Sequence, residues 1–356
     1  MERVGVDAPL AVLSYVTRRC GQALLTFGLF AVAVAILVTG GARGGGSALD
    51  WLAAAARLDF GRASDNSPVI VAITAALPAT ALLVLAATLI GLVVGYGGGL
   101  LFALTDESSL RRHPHPLSRA GLPVGEQRSE RPALPAGTGD KLRALWYAPV
   151  RALAMAADVC QGVPVFWLGG VLVVVLSVGL GLFPPGGIAD PALPAFGTAS
   201  YLDLLRARPA LVLGDLLGRL ALPALTLALA GLATRLRLVS TALPPELRAP
   251  YTRVARAAGL SRRRLAWRTA RPALPVIMSG AVGNLAPLAG AVVLVEYLFG
   301  WPGLGLLAYH AARAGDTATL GALLFLFGFI VIVAGLVGDI AAAWADPRLR
   351  SHGTTP

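Results

Sequence analysis

The sequence predicts an all-α polytopic membrane protein with six transmembrane helices and both termini in the cytoplasm. Hydrophobic residues make up 56% of the chain and charged residues only 14%, whereas a soluble domain carries about a quarter charged residues. Several apolar stretches approach the roughly 20 residues that cross a bilayer as a helix. The basic residues are concentrated in alternate segments between those stretches, as the positive-inside rule requires.

The spans fall, in order, at residues 21–38, 77–104, 159–182, 216–233, 273–295 and 320–337. The fourth is the shortest in its uncharged part and holds Arg219 near its start. Arg18 and Arg19 precede an apolar run without a small-residue cleavage site, so the first stretch reads as a span rather than a signal peptide. Pro78 and Pro223 fall near the expected outer ends of their spans, where a proline in the first turn costs little. Gly91, Gly95 and Gly99 recur every four residues and predict a smooth stripe for close helix packing.

Arginine placement sets the orientation. Most of the 30 basic residues lie in the N-terminal segment, the 105–147 loop, the stretch from Arg235 to Arg271, and the tail. The segments expected outside keep only Arg43, Arg57, Arg62, Arg206, Arg208, Arg219 and Arg313. The loop at 105–147 is rich in Pro, Gly and charge and has no apolar period, which predicts a disordered cytoplasmic loop. His113 and His115 in that loop lack Cys or carboxylate companions and predict no metal site. Cys20 and Cys160 predict no disulfide framework. The net charge of +11 does not point to nucleic acid, because the basic residues lie between apolar spans without interleaved aromatics. There is no G-x-x-x-x-G-K-[ST] motif, catalytic triad or dinucleotide fingerprint. The reading is a non-catalytic chain without a cofactor.

The stretch "YTRVARAAGLSRRRLAWRTARP", residues 251–272, holds seven arginines between apolar spans. Pro250 suits a first helical turn and Gly259 a helix stop. Tyr251, Val254, Ala255 and Ala258 recur at i, i+3, i+4 and i+7, which predicts one apolar face. Ser261 can cap a second helix running through Leu265 and Trp267 towards Pro272. Two readings stay open on these residues. One is an interfacial helix whose arginines meet anionic headgroups; the other is a docking helix for a cytoplasmic partner. Asp158, Glu296 and Asp339 lie at or near span ends, where structural hydrogen bonding is the expected role.

The same segment resembles the EAA loop of ABC-importer permeases, in the variant of the dipeptide/oligopeptide/nickel branch. Tyr251, Arg253, Ala255, Arg256, Ala257, Gly259 and Leu260 fit that variant, and Pro272 takes the place of its closing proline. The resemblance continues in "GAVVLVEYLFGWPGLG" (with Glu296, Trp301, Pro302 and Gly303), in "ADPRLR", in "GVPVFWLGG", and in "LDFGRAS" with "LPATALL". Together these cover residues 58–350. In place of the family's Pro-Gly-Asp stretch the first outer loop has "GGARGGGSALDW", and the 105–147 loop is long for the family.

The resemblance implies a single permease domain over residues 1–356 with the MetI-like fold of type I ABC importers. It also implies a coupling loop at 240–272. Within that loop Tyr251, Arg253, Val254, Ala255, Arg256, Ala258, Gly259, Leu260, Ser261 and Pro272 would meet the ATPase. The implied partners are a second, homologous permease, two ATP-binding cassette subunits and an extracytoplasmic solute-binding protein. The implied cargo is a peptide, with nickel chelates or oligosaccharides as alternatives within the class. Glu296, Trp301, Pro302, Gly303 and Asp339 are candidates for a structural or pathway role. The rival from another class is an ion-coupled secondary transporter, which would show inverted repeats and mid-span broken helices with buried charge; the sequence shows no convincing repeat.

Overall fold

Four helices of the computed structural model are long and apolar enough to cross a membrane: Ser14–Gly40, Val69–Leu100, Pro209–Ala230 and Thr317–Ala341. Two further candidates are bent pairs, Met155–Gly162 with Val165–Gly179 at 117°, and Pro287–Phe299 with Leu304–Ala314 at 79°. Counting each pair as one span gives the six expected. The structure describes residues 8–41, 47–100, 155–248 and 285–345, with residue 152 and scattered positions from 251 to 277. The Pro-rich 105–147 loop and its histidines, the "GGARGGG" stretch, "ADPRLR" beyond Ala345, and the extreme termini lie outside the described residues.

In chain order the elements are α1 (Ala8–Gly41), α2 (Ala48–Ala56) and α3 (Val69–Ile90), which widens into a π-helical turn at Gly91–Tyr96. Then come α4 (Met155–Gly162) and α5 (Val165–Leu172), which continues as π-helix to Gly179. After these follow α6 (Ala199–Ala207), α7 (Pro209–Ala230), α8 (Leu232–Arg248), α9 (Leu285–Phe299), α10 (Leu304–Ala314) and α11 (Thr317–Ala345).

Three expectations need correction. The second span starts at Val69, capped by Pro68, rather than at Leu77. Pro78 is therefore inside α3, and Pro223 is likewise inside α7. Each removes one intrahelical hydrogen bond, which packing against neighbouring helices outweighs here. The third span is not straight: Pro164, which cannot donate a hydrogen bond, caps α5 and turns the chain away from α4. The fifth span extends past Val295 to Phe299 and then breaks.

The central core is built from α3, α7 and α9, with Leu83, Leu222, Leu227, Val295 and Trp301 fully enclosed. A second cluster joins Phe60, Val69 and Ile73 to Leu304 and Leu323. Leu24, Leu25 and Leu29 of α1 stay exposed, the surface that a bilayer covers. α1 packs along α11, where small residues let the helices approach closely. Gly321 makes room for Val38 and Gly328 for Phe30. Phe27 meets Phe325 edge-on at 5.1 Å, and Arg19 reaches Asp339 at 3.5 Å.

The glycine stripe of the second span does pack closely, as its spacing predicts. Its partner is α8: Gly91 and Gly95 face Arg235, while Gly99 faces Val239 and the backbone of Leu236. Arg235 is thus half-buried in a helix interface rather than part of a solvated arginine segment.

The α1–α11 seam gives a stability test. Gly328→Val should push against Phe30 and lower the unfolding temperature in detergent by several degrees, since overpacking costs about 1–3 kcal/mol. Gly28→Val, on the same seam's helix but with open space at its β-carbon, should change it little.

Candidate functional site

Two places gather the residues singled out in the sequence: the bend between α9 and α10, and the segment at 251–261. The bend begins where Gly300 takes φ +60 and ends α9. The Trp301 N–H then donates to the Glu296 carbonyl at 2.8 Å. Pro302 has no N–H, and Gly303 opens α10 without a side-chain cap of its own.

The first N–H groups of α10 therefore need acceptors from elsewhere. Glu296, on the last turn of α9, supplies them. Its carboxylate accepts from the Gly305 N–H at 2.6 Å, the Leu306 N–H at 3.2 Å and the Thr80 hydroxyl at 2.6 Å. The Leu304 N–H donates in turn to the Thr80 oxygen at 2.7 Å. Three donors converge on this one carboxyl group, and its place at a helix N-terminus matches the helix dipole.

Glu296 and Trp301 are both 0% exposed. The Trp301 indole N–H donates to the Ala79 carbonyl at 2.8 Å, one residue before Thr80. A β-carbon at Gly303 would run into Glu296 and Thr80, and one at Gly305 would lie 2.5 Å from the Val293 backbone. The run "EYLFGWPGLG" is thus accounted for largely by one buried knot joining α3, α9 and α10.

The neighbouring loop is tied to the same bend. The Gly187 N–H donates to the Phe299 carbonyl at 2.8 Å. Arg219 on α7 holds that loop through the Gly186 carbonyl at 2.8 Å and Asp190 at 2.9 Å, and it also bonds Asp215 at 2.8 Å. Asp215 accepts from the Asp190 N–H at 2.9 Å. The other carboxylates near span ends are paired too: Asp158 with Arg237 at 2.7 Å, and Asp339 with Arg19.

At the second place, the chain is helical at Tyr251, Val254 and Ala255, and Gly259 adopts φ +76. The Ala258 N–H donates to the Val254 carbonyl at 2.9 Å, and the Leu260 N–H to the Ala255 carbonyl at 3.2 Å. Nothing lies within 4 Å of a β-carbon built on Gly259. Glycine is required there for its backbone angle, not for space. The apolar face expected from the sequence is only partly covered: Ala255 is buried, but Val254 is 68% exposed and Tyr251 39%. Ala258 and Ser261 are exposed and Leu260 is half-buried. Arg253, Arg256 and Pro272 lie outside the described residues.

Residues 150–351, more than half of the chain, match the family of binding-protein-dependent transport system inner membrane components. The chain belongs to this family. Three relatives show the range of these permeases. The oligopeptide transport system permease protein AppB of Bacillus subtilis is 28% identical over 307 residues, 85% of this chain and 79% of the relative. The probable D,D-dipeptide transport system permease protein DdpB of Escherichia coli is 34% identical over 197 residues, 53% of this chain and 57% of the relative. The metal-staphylopine import system permease protein CntB of Staphylococcus aureus is 26% identical over 200 residues, 56% of both chains. The match thus spans just over half the length of the last two. As a member of this permease family with several apolar helices, the chain is a multi-pass protein of the cell membrane.

Sequence reasoning named Glu296, Trp301, Pro302 and Gly303 but missed Thr80, Arg219 and Arg235. The signal for Thr80 was present in "LPATALL"; nothing local said what the hydroxyl would face.

Glu296→Ala would strand the Gly305 and Leu306 N–H groups, and unpaired buried donors cost about 1–3 kcal/mol each. The variant should lose most of its thermal stability in detergent. Thr80→Ser, which keeps the hydroxyl, should stay close to the parent.

Proposed function

We propose that this chain forms half of the translocation pathway of an ATP-driven importer for peptides and couples to cytoplasmic ATPases through the helix at 251–259. The family and its oligopeptide and dipeptide relatives support the transport class and cargo. The single observation that carries the coupling role is the geometry of that helix. A left-handed Gly259 stops it, and Val254 beside that stop is 68% exposed. An apolar surface on a short, sharply ended helix is a ready contact for a partner subunit.

In this reading both termini and residues 240–272 are cytoplasmic, which the arginine distribution supports. A second permease completes the pathway, two ATPases sit beneath, and a binding protein delivers the solute from outside. Closure of the ATPases on ATP would move the 251–259 helix. The α8 helix connects that segment to α7 and packs on the π-helical turn of the second span. Displacement at 251–259 therefore reaches two spans at once, which is how one contact can switch the pathway between inward- and outward-open states. Hydrolysis belongs to the partner subunits, and this chain contributes no catalytic group.

The broken spans expected of an ion-coupled carrier are present, and a buried carboxylate sits at one break. That carboxylate is engaged by Thr80, Gly305 and Leu306 and has no exposed surface. It serves the fold rather than a coupling ion. The metal-staphylopine relative is the one observation that favours a metal chelate as cargo.

Gly259→Val is the test. A β-branched residue in the left-handed region is strained by about 1–2 kcal/mol, so the helix end should distort. Solute-stimulated ATP hydrolysis by the assembled complex should be abolished while membrane insertion persists, and Arg262→Gln should do much less. Normal transport by Gly259→Val would mean that the arginines serve lipid and the coupling reading is wrong. Orientation is checked separately: cysteines placed at Arg256 and at Arg206 should be labelled from opposite sides of the membrane.

A further inference from the structure

Among the described residues three arginines are half-buried: Arg19, Arg219 and Arg235. Arg19 faces Asp339 at 3.5 Å, and Arg219 bonds Asp190 and Asp215 at 2.9 and 2.8 Å. Even the exposed Arg237, two residues further along α8, pairs with Asp158 at 2.7 Å. Arg235 has no such partner. Its one acceptor among the described residues is the Ala228 carbonyl, 3.1 Å from Nη1. A guanidinium carries five N–H donors, so most of its hydrogen-bonding capacity is unused.

The surroundings make room for this side chain without neutralising it. A β-carbon on Gly91 would lie 2.8 Å from Cζ, one on Gly231 2.7 Å from Nη1, and one on Gly95 2.8 Å from the arginine Cβ. The second span adopts its π-helical turn, Gly91–Tyr96, at this level, and such turns are frequent at functional sites. Three glycines therefore shape a cradle that fits an arginine and, among the described residues, offers it the Ala228 carbonyl and the Tyr96 phenol nearby but no carboxylate. A side chain held only for packing would need no charge at this point. An ionised group among spans faces the bundle interior or a polar cavity, pairs with another ion or with backbone carbonyls, and often marks a substrate pathway. Among the described residues the chain provides the cation and no carboxylate to meet it.

We propose that Arg235 binds the carboxylate of the transported solute, where α8 leaves the fourth span at the cytoplasmic end of the pathway. The proposal builds on the peptide reading, since every unmodified peptide ends in a carboxylate. The guanidinium can grip that group with two parallel N–H donors, and no neutral terminus offers the same match. The part-exposed position lets a solute reach it while the glycine cradle fixes its direction.

The test uses the complete transporter reconstituted in vesicles with its binding protein and ATPases, and compares uptake of alanyl-alanine with that of alanyl-alanine amide. The binding protein's own preference is common to every variant and cancels from the ratio. Arg235→Gln should reduce the acid-to-amide uptake ratio by about 30-fold or more, the order expected when one member of a desolvated charge pair is removed. Arg235→Lys, which keeps the charge but not the fork, should restore part of it. Equal losses for the two peptides in Arg235→Gln would make the residue a packing element and overturn the proposal.

A second measurement needs no transport. Modification of Arg235 by phenylglyoxal, located by mass spectrometry in the unmutated complex, should be slowed by N-acetylalanine and not by its amide. Equal rates with the two compounds would overturn the site. If the unmutated complex takes up neither peptide but protection by the acid persists, the peptide reading fails while the carboxylate site stands.

Discussion

A helix that begins inside a membrane protein starts with N–H groups that neither its own turns nor water can satisfy. The α10 helix begins this way, behind Pro302 and an uncapped Gly303. Its acceptors are Glu296 and Thr80, both buried, and they come from two different spans. This requirement fixes much else. Because the carboxylate must reach over the start of α10, α9 has to turn back sharply, which Gly300 permits. Because Gly303 lies against both acceptors, it can carry no side chain. Because Thr80 must face the knot, α3 is held in one rotation, and the Trp301 indole pins the adjacent Ala79 carbonyl. The helix break is thus a fully bonded structure rather than a flexible joint.

Charges elsewhere follow a related logic. In a low-dielectric setting an ion needs a partner or a route to water. Arg219 meets this with two aspartates and a carbonyl, and in doing so fastens the 182–198 loop against the bend. Asp158 and Asp339 each have an arginine on a neighbouring helix. These pairs tie spans together at their ends, where water lowers the cost of burying charge. Arg235 departs from the pattern, and it does so at the place where the second span is smoothest and widest.

Much of this was legible in sequence because it is local. Hydropathy over about 20 residues locates a span whether or not its neighbours are known. The four-residue glycine spacing announced a close helix contact, and Pro250 with Gly259 announced a short helix ending in a left-handed turn. The run containing Glu296 and Trp301 stood out by its composition. The misreadings came from the same locality. Pro78 was placed near a helix start because an apolar window does not show where Pro68 begins the turn. The third span reads as one stretch because its apolar content continues through the break at Pro164.

By itself, then, the sequence determined the apolar stretches that become spans, the arginine-rich segment between them and the left-handed glycine that ends its first helix. Each of these depends on the period or the backbone preference of neighbouring residues. Only the tertiary structure decided that Thr80 would meet Glu296, 216 residues away. It also decided that Val254 would be left uncovered and that Arg235, alone of the half-buried arginines among the described residues, would have no aspartate. A hydrogen bond or an ion pair forms between groups brought within about 3 Å. Which groups are brought that close depends on how whole spans rotate and pack, and no window of residues along one helix contains that information.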